Sequence, residues 1–307
     1  MKRFFNVLFI MFLVMMNAYA QKVDLSLKLQ KGNNYNQNSI SNVVINQTVN
    51  GQSMTINMDN ESKSVFHVKE IKENVYIMDV YFTELEVGIQ MGPEMQTFSS
   101  TKSEDPFSKI LSAMISKRFE VQLTAKGKVI ALSGIDKLWE QISAETQDIP
   151  SMQRDQVIAQ LKQSYGEKNL TTNIESITAI YPSEIVKKGS KWQTKYTLDN
   201  AIKADVTTEF TMASVSKTEV ILEGKSTITT DPNNKEFTMT NGMLTRFDGG
   251  GTMTSSYDLN RSNGWISKCI INQEIKGDTY VKAQGQEMKI PQTITTFIKV
   301  DDKTEVE

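Results

Sequence analysis

The chain has 307 residues, 34 basic and 36 acidic side chains and a formal charge of −2. That balance excludes the clustered Lys/Arg that nucleic acid or an anionic membrane surface requires. One histidine, His67, and one cysteine, Cys269, exclude a disulfide framework and leave Ser-His-Asp, Cys-His and zinc sites without parts.

The N-terminus reads as an export signal. Lys2 and Arg3 precede an apolar stretch from Phe4 to Met16, and Ala18-Tyr19-Ala20 supplies the small residues of a cleavage site before Gln21. Residues 1–20 are therefore expected to be removed, leaving a charge of −4. The apolar stretch is short for a membrane span, and no later segment approaches one. No cysteine lies near the cleavage site to carry a lipid. The expected address is the periplasm rather than the medium.

From residue 21 most of the chain alternates with period two, the signature of strands with one buried and one wet face. Val43–Asn50 and Met54–Met58 read as a hairpin about Asn50-Gly51, a pair that tolerates positive φ at both positions. Ser64–Ile71 and Asn74–Val87 read as the next pair, turning at Lys72-Glu73. Phe119–Leu123 and Lys128–Leu132 turn at Ala125-Lys126-Gly127.

Two regions break the period. Asp105-Pro106 is a helix start, and Phe107, Ile110, Leu111, Met114 and Ile115 recur at helical spacing over about 106–117. Further stripes at Ile135, Leu138, Trp139 and Ile142, at Val157, Ile158, Leu161 and Tyr165, and at Ile174, Ile177 and Ile180 predict a helical segment over 135–181. Tyr181-Pro182 ends it. Strands resume at Lys191–Leu198, Lys203–Ser214, Glu219–Thr229, Phe237–Phe247, Thr252–Leu259, Trp265–Ile275, Thr279–Ala283 and Glu287–Val300. Asp231-Pro232-Asn233-Asn234, Asp248-Gly249-Gly250-Gly251, Asn260–Gly264 and Gly277-Asp278 are read as their turns.

Three stretches recur in the same order. LQKGNNYNQNSIS (29–41) matches VKKGSKWQTKYTL (186–198) in Lys-Gly-x-x-aromatic. SVFHVKEIKENVYIMDV (64–80) matches TEFTMASVSKTEVILEG (208–224). RFEVQLTAKGKVIAL (118–132) matches SYDLNRSNGWISKCI (256–270). The expected fold is mainly β (α+β): two related antiparallel sheet units, an internal duplication, with amphipathic helices packed on one face. The expected divisions are an N-terminal β unit over 21–134, the helical segment over 135–181 and a C-terminal β unit over 182–307. Tyr35 and Trp192 are then inward anchors of the first strand of each copy.

Little carries chemistry. His67 is expected half-exposed in a strand. The Gly249–Gly251 run lacks the Gly-Lys-Ser/Thr and the helix of a phosphate loop. Acidic residues alternate with lysine on strand surfaces instead of pairing against aromatics as in glycosidases, and the 231–236 stretch lacks a calcium loop's ligand spacing. Met91 and Met95 have the spacing of a thioether metal site, but no His or Cys stands near them in sequence. No catalytic residue, metal ligand or cofactor is assigned. Methionine is abundant, and its flexible thioether suits either core gaps or an adaptable apolar surface. Met91, Met95, Phe107, Ile110, Leu111, Met114, Met239 and Met243 are the candidates to line an apolar ligand.

The start KGNNY, the Asp105-Pro106 helix feeding RFEVQLTAKGKVI, and the central YPSEIVKKGSKW resemble a family of uncharacterised exported β-rich proteins of Bacteroidota, a domain of unknown function. That resemblance spans nearly the whole chain after the signal and implies no known activity. A curved antiparallel sheet with helices tucked against one face is also similar, at fold level, to LolA-like and LppX-like periplasmic carriers. The functional expectation is a non-enzymatic envelope protein that binds a lipid or other apolar or amphiphilic ligand between sheet and helices. The alternative is a structural or interaction module with an envelope protein as partner, and a hydrolase working with carboxylates alone ranks third.

Overall fold

A computed structural model describes residues 22–302 apart from 103, 200–201, 234, 241–242 and 284–285. The expected signal peptide lies outside the described residues. Alternation sets the strands: β1 (Asn34–Val49), β2 (Gln52–Lys72), β3 (Val75–Gln90), β4 (Gln96–Ser99), β5 (Phe119–Thr124) and β6 (Val129–Ser133). Among the described residues four helices intervene: α1 (Pro106–Met114) before β5, then α2 (Ile135–Glu145), α3 (Ser151–Tyr165) and α4 (Glu167–Thr178) after β6. The remaining strands are β7 (Lys191–Asp199), β8 (Lys203–Val215), β9 (Glu219–Thr229), β10 (Thr238–Thr240), β11 (Met243–Asn260), β12 (Ile266–Ala283) and β13 (Gln286–Asp302).

All of them join one antiparallel sheet in the order β6-β5-β3-β2-β1-β13-β12-β11-β9-β8-β7, with β4 on β3 and β10 on β11. The two copies are thus fused. Each is a five-strand meander, β1-β2-β3-β5-β6 or β7-β8-β9-β11-β12, and both run in the same direction across the sheet. Two seams separate them. Strand β13 fills one by pairing with both β1 and β12, and α4 fills the other by packing against β6 and β7. At that second seam the Val129 N–H donates to Glu175 Oε1 (3.0 Å), and the Thr178 hydroxyl donates to the Gly127 carbonyl (2.7 Å).

Backbone hydrogen bonds confirm the duplication residue by residue. Gly32 (φ +87°) donates to Val68 O at 2.8 Å, and Val68 returns a bond to Asn33 O at 3.0 Å. Gly189 (φ +82°) donates to Met212 O at 2.8 Å, and Met212 returns one to Ser190 O at 3.0 Å. Each of these pairs is followed by a bulge, at Val68/Glu70 and at Met212/Ser214. The third match needs a two-residue correction. Ala125 N–H donates to Asn74 O and Arg261 N–H to Thr218 O, both at 2.9 Å, so Thr124 corresponds to Asn260. Tyr257 therefore answers to Val121, not Phe119.

Three turn readings also change. The β2–β3 turn centres on Glu73-Asn74, both with positive φ (47° and 66°), one residue beyond the expected position. Residues 52–72 form a single strand. The glycines 249–251 and Gly277 lie mid-strand, with Gly249 opposite Gly277. A Cβ on Gly249 would lie 2.7 Å from Gly277 Cα, and one on Gly277 2.4 Å from Asp248 O. The Phe247 ring approaches both positions. Glycine here allows close strand approach under an aromatic ring, the usual reason for glycine inside a strand.

The helix at 106 begins as expected. Asp105 accepts a hydrogen bond from the Ser108 N–H at 2.9 Å, with Pro106 in the first turn. Partial burial works against the Asp105 charge, but bonds from Ser108 and Phe107 outweigh it and hold the carboxyl below the usual aspartate range. Asp105→Ala should cost about 1 kcal/mol in urea unfolding at neutral pH. Because the folded-state pKa is depressed, that contribution is present above the unfolded pKa and lost as pH falls through the folded value. The difference between wild type and variant should therefore shrink in acid, and a pH-independent difference would remove the ionic part of this account.

The interior is one continuous apolar cluster shared by sheet and helices. A segment with no ladder of its own also enters it: Val23, Leu25, Leu27 and Leu29 are buried. Trp192 is half-buried, donates its indole N–H to Ile180 O at 2.8 Å and stacks on Phe210. Its counterpart Tyr35 packs on Trp265.

Candidate ligand-binding face

Cross-strand pairing assigns every side chain of the long central strands to one of two faces. On the face that carries the core, an apolar row runs Ile56, Ile45, Ile294 and Ile275 across β2, β1, β13 and β12, then through Gly251 to Ile228 and Val206. The next row toward the core has Met58 beside Val43 and Thr296, and the row after that has Ile298. On the other face the same strands present Ile40, Val44 and Phe297 among amides and charges, some of which bond to one another. Asn42 donates to Asp59, Thr55 to Asn46, and Asn57 to Gln90, each at 2.8 Å.

The helices do not cover this inner face evenly. Helix α1 packs on β3 and β4, and α4 packs on β6 and β7. Toward β9 and β8 the apolar row is sealed: Ile275, Ile228 and Val206 are buried. Toward the centre Val43, Ile45, Ile56, Met58, Ile294 and Ile298 are only half-buried. The result is an apolar strip, three strands wide, on β2, β1 and β13.

The eight residues expected to line a ligand are not brought together. Phe107, Ile110, Leu111 and Met114 are buried in the packing of α1, with Phe107 against Phe98 at 4.6 Å between ring centroids. Met95 lies over Gly88 on the outer face. Met91 and Met239 are 64% and 67% exposed, and Met243 is exposed as well, all at or near strand ends. The strip residues are not among these eight, although the alternation of VVINQTV and ITTFIKV carries their shared face.

Elsewhere the chemistry is quiet. An open cleft of about 670 Å³ beside α4 is lined by polar groups including Lys128, Lys195, Glu175 and Thr197. Burial pushes the Tyr196 hydroxyl there up to about 12. Burial likewise raises Tyr165 and Cys269, each to about 12. These groups are neutral near pH 7. His67 sits on the outer face with Nδ1 2.7 Å from Asn34 Oδ1. Among the described residues no group of three His, Cys, Asp or Glu could hold a metal ion, and no helix is long and apolar enough to cross a membrane.

Residues 73–266 match a family profile, which covers β3 through the start of β12. The chain belongs to DUF6263, a family of unknown function. No curated protein matches it. Among solved structures, this DUF6263 chain is similar to lipovitellin, in a structure described by its lipid–protein interactions. The identity is 10% and the TM-score 0.49, over 90% of this chain and 26% of that one. The chain thus spans about a quarter of lipovitellin's length. It is also similar to an outer-membrane channel from Pseudomonas putida F1 (6% identity, TM-score 0.22, 90% and 97% covered) and to the translocator domain of the autotransporter NalP from Neisseria meningitidis (5%, 0.18, 90% and 90%). At these scores the fold of the DUF6263 chain rests on its own topology.

Proposed function

We propose that this protein is a non-enzymatic envelope protein, exported after cleavage at Ala20-Gln21, that binds an apolar or amphiphilic molecule. The binding surface is the strip on β2, β1 and β13, displaced from the sheet–helix interface toward the uncovered centre of the face. The observation that carries the reading is the half-buried row Ile56–Ile45–Ile294, contiguous across three strands, with Met58 and Val43 beside it. Contiguous apolar surface left in water marks a binding site more often than idle surface.

Titration of the purified mature protein with the neutral fluorophore N-phenyl-1-naphthylamine tests this. Ile45→Glu with Ile294→Glu should weaken dye binding at least tenfold while the far-UV circular dichroism stays unchanged. Undiminished dye affinity in that variant, or no binding by the wild type together with no lipid carried through native mass spectrometry, would sink the reading. The mass of the secreted or periplasmic product tests the cleavage position. The exposed methionines Met91, Met239 and Met243 favour a second reading, a protein partner docked at the strand ends. A stoichiometric protein recovered by crosslinking through these positions would support it.

A further inference from the structure

Three strands outrun their neighbours at one end of the sheet. Strand β9 pairs with β11 only as far as Gly250, and β1 pairs with β13 only as far as Gln292. Beyond that line β11, β12 and β13 continue as a projection, paired with one another, and β10 adds Thr238–Thr240 along β11. From Gly277 to Ala283 it is six residues long, about 20 Å at roughly 3.3 Å each. Glycines 249–251 and Gly277 lie across its base.

Cross-strand register sorts the projection into levels. At its end stand Met239, Met243, Leu244 and Met288, four of the ten large apolar residues that are exposed among the described residues. They occupy both faces. Met243 and Met288 share the inner face with Phe247 and Ile290, whereas Leu244 and its partner Met239 share the outer face with Arg246. One to three residues behind them lies a belt of cations on rings. Arg246 pairs with Tyr280, and its guanidinium is 4.2 Å from that ring's centroid and 5.6 Å from that of Phe237. Lys282 starts two residues further out and reaches back to place its Nζ 4.0 Å from the Phe237 centroid. Lys289 pairs with Tyr280 from the other side. Acids stand behind the belt: Asp278 holds Lys289 at 2.9 Å, and Asp248 holds Arg246 at 3.4 Å. Outward of the belt the acidic residue is Glu287, opposite Lys282.

We propose that this projection docks on a lipid bilayer, with Met239, Met243, Leu244 and Met288 at the acyl boundary and the belt of Arg246, Tyr280, Phe237 and Lys282 among the headgroups. A docked protein covers one face of a sheet. Apolar side chains on both faces of one end suit a medium that surrounds that end. A tyrosine ring with a polar tip and long cationic stems favour the level where one side is apolar and the other wet. The apolar residues stand about 3–10 Å outward of the belt, and interfacial elements bury their apolar side by about 5–10 Å. Charge decides the kind of surface. Residues 235–248 and 277–292 carry four cations and four acids, so the docking is apolar in origin and suits a zwitterionic bilayer. The inner face of the projection also runs through Ile290 and Gln292 to Ile294 of the strip. Docking therefore sets the strip's outer end toward the bilayer, a source of amphiphiles. That link rests on the strip reading above; the docking itself does not.

Flotation of the mature protein with phosphatidylcholine vesicles tests this. The wild type should float, and the bound fraction should change less than twofold between about 0.1 and 0.5 M sodium chloride. Leu244→Asp with Met288→Asp should lower that fraction at least fivefold, with the melting temperature and the affinity for N-phenyl-1-naphthylamine unchanged. If that pair does not fold, Met239→Asp alone should lower the fraction at least twofold. Met152→Asp, at an exposed methionine on α3, is the control and should float as the wild type does. A wild type that stays unbound, flotation that survives these substitutions, or an equal loss in Met152→Asp overturns the docking. So does a wild type that fails to float and crosslinks through the projection to one stoichiometric protein. Dye binding without flotation overturns the docking and leaves the strip standing. Flotation without dye binding supports the docking and removes the strip.

Discussion

Gly127→Ala and Gly264→Ala should each lower stability by roughly 2–5 kcal/mol, and should do so as a matched pair. Both glycines lie in the turn that follows the fourth strand of each copy, three residues after Thr124 and four after Asn260, with φ of +76° and +73°. A residue with a Cβ pays about 1–2 kcal/mol for that conformation alone. Here the Cβ would also meet backbone: it would lie 1.7 Å from Thr178 O at Gly127 and 2.1 Å from Ser26 O at Gly264. Neither neighbour can rotate away, because each belongs to a segment fixed by its own bonds. Thr178 donates to the Gly127 carbonyl. Lys28, two residues beyond Ser26, donates to Asn263 O at 2.7 Å. Forcing backbone apart in a packed interior adds a further 1–3 kcal/mol. Gly32 and Gly189 form the internal control. Their φ values are +87° and +82°, yet an added Cβ would meet nothing within 4 Å, so alanine there should cost only the conformational 1–2 kcal/mol. Urea unfolding of the four variants gives the ranking. Equal losses at all four, or a Gly127→Ala midpoint matching wild type, would show that the two turns are not sockets.

That pairing shows which parts of the fold were legible. The Lys-Gly starts and the 64–80 and 208–224 hairpins were readable because each repeat is local: a positive-φ glycine, an aromatic at fixed offset and a bulge travel together in a short stretch. The 118–132 match slipped by two because the turn after Thr124 is shorter than the one after Asn260, and an aromatic coincidence between Phe119 and Tyr257 outweighed the backbone pattern. The glycines 249–251 were misread for a different reason. Whether a glycine run is a turn or a close strand approach depends on what lies opposite, and Gly277 is remote in sequence. The scatter of the eight candidate lining residues has the same kind of origin. Alternation shows that Val43, Ile45, Ile56 and Ile294 share a face, but coverage of that face depends on where α1 and α4 land. Helical spacing showed the apolar stripe of α1 and could not show that the stripe is fully used in packing.

Deleting residues 22–29 should abolish cooperative folding. This segment reads in sequence as a short alternating stretch, but in the fold it belongs to neither meander and ties the two together. Leu27 N–H donates to Ala125 O at 2.8 Å in the first copy, and Lys28 N–H donates to Asn263 O at 2.7 Å in the second. Val23 exchanges both backbone bonds with Val186, at 2.7 and 3.0 Å, just ahead of β7. The Tyr76 hydroxyl closes the arrangement: it donates to Leu27 O at 2.8 Å and accepts from Leu29 N–H at 3.2 Å. Val23, Leu25, Leu27 and Leu29 are each more than nine-tenths buried. At about 1.5–3 kcal/mol for each buried side chain, their loss removes roughly 6–12 kcal/mol, comparable to the 5–15 kcal/mol that typically separates folded from unfolded chains. The deletion also strands Ala125 O, Asn263 O and the Tyr76 hydroxyl without partners, which adds to the loss. The milder Leu27→Ala should cost about 2–5 kcal/mol and shift the urea midpoint without changing the fold. Far-UV circular dichroism and urea unfolding read both variants. A deletion variant that unfolds cooperatively near the wild-type midpoint would mean that β13 and α4 hold the copies together unaided. Loss of the transition in the deletion, with a shifted but intact transition in Leu27→Ala, would place the joint between the copies in this segment as well as in β13 and α4.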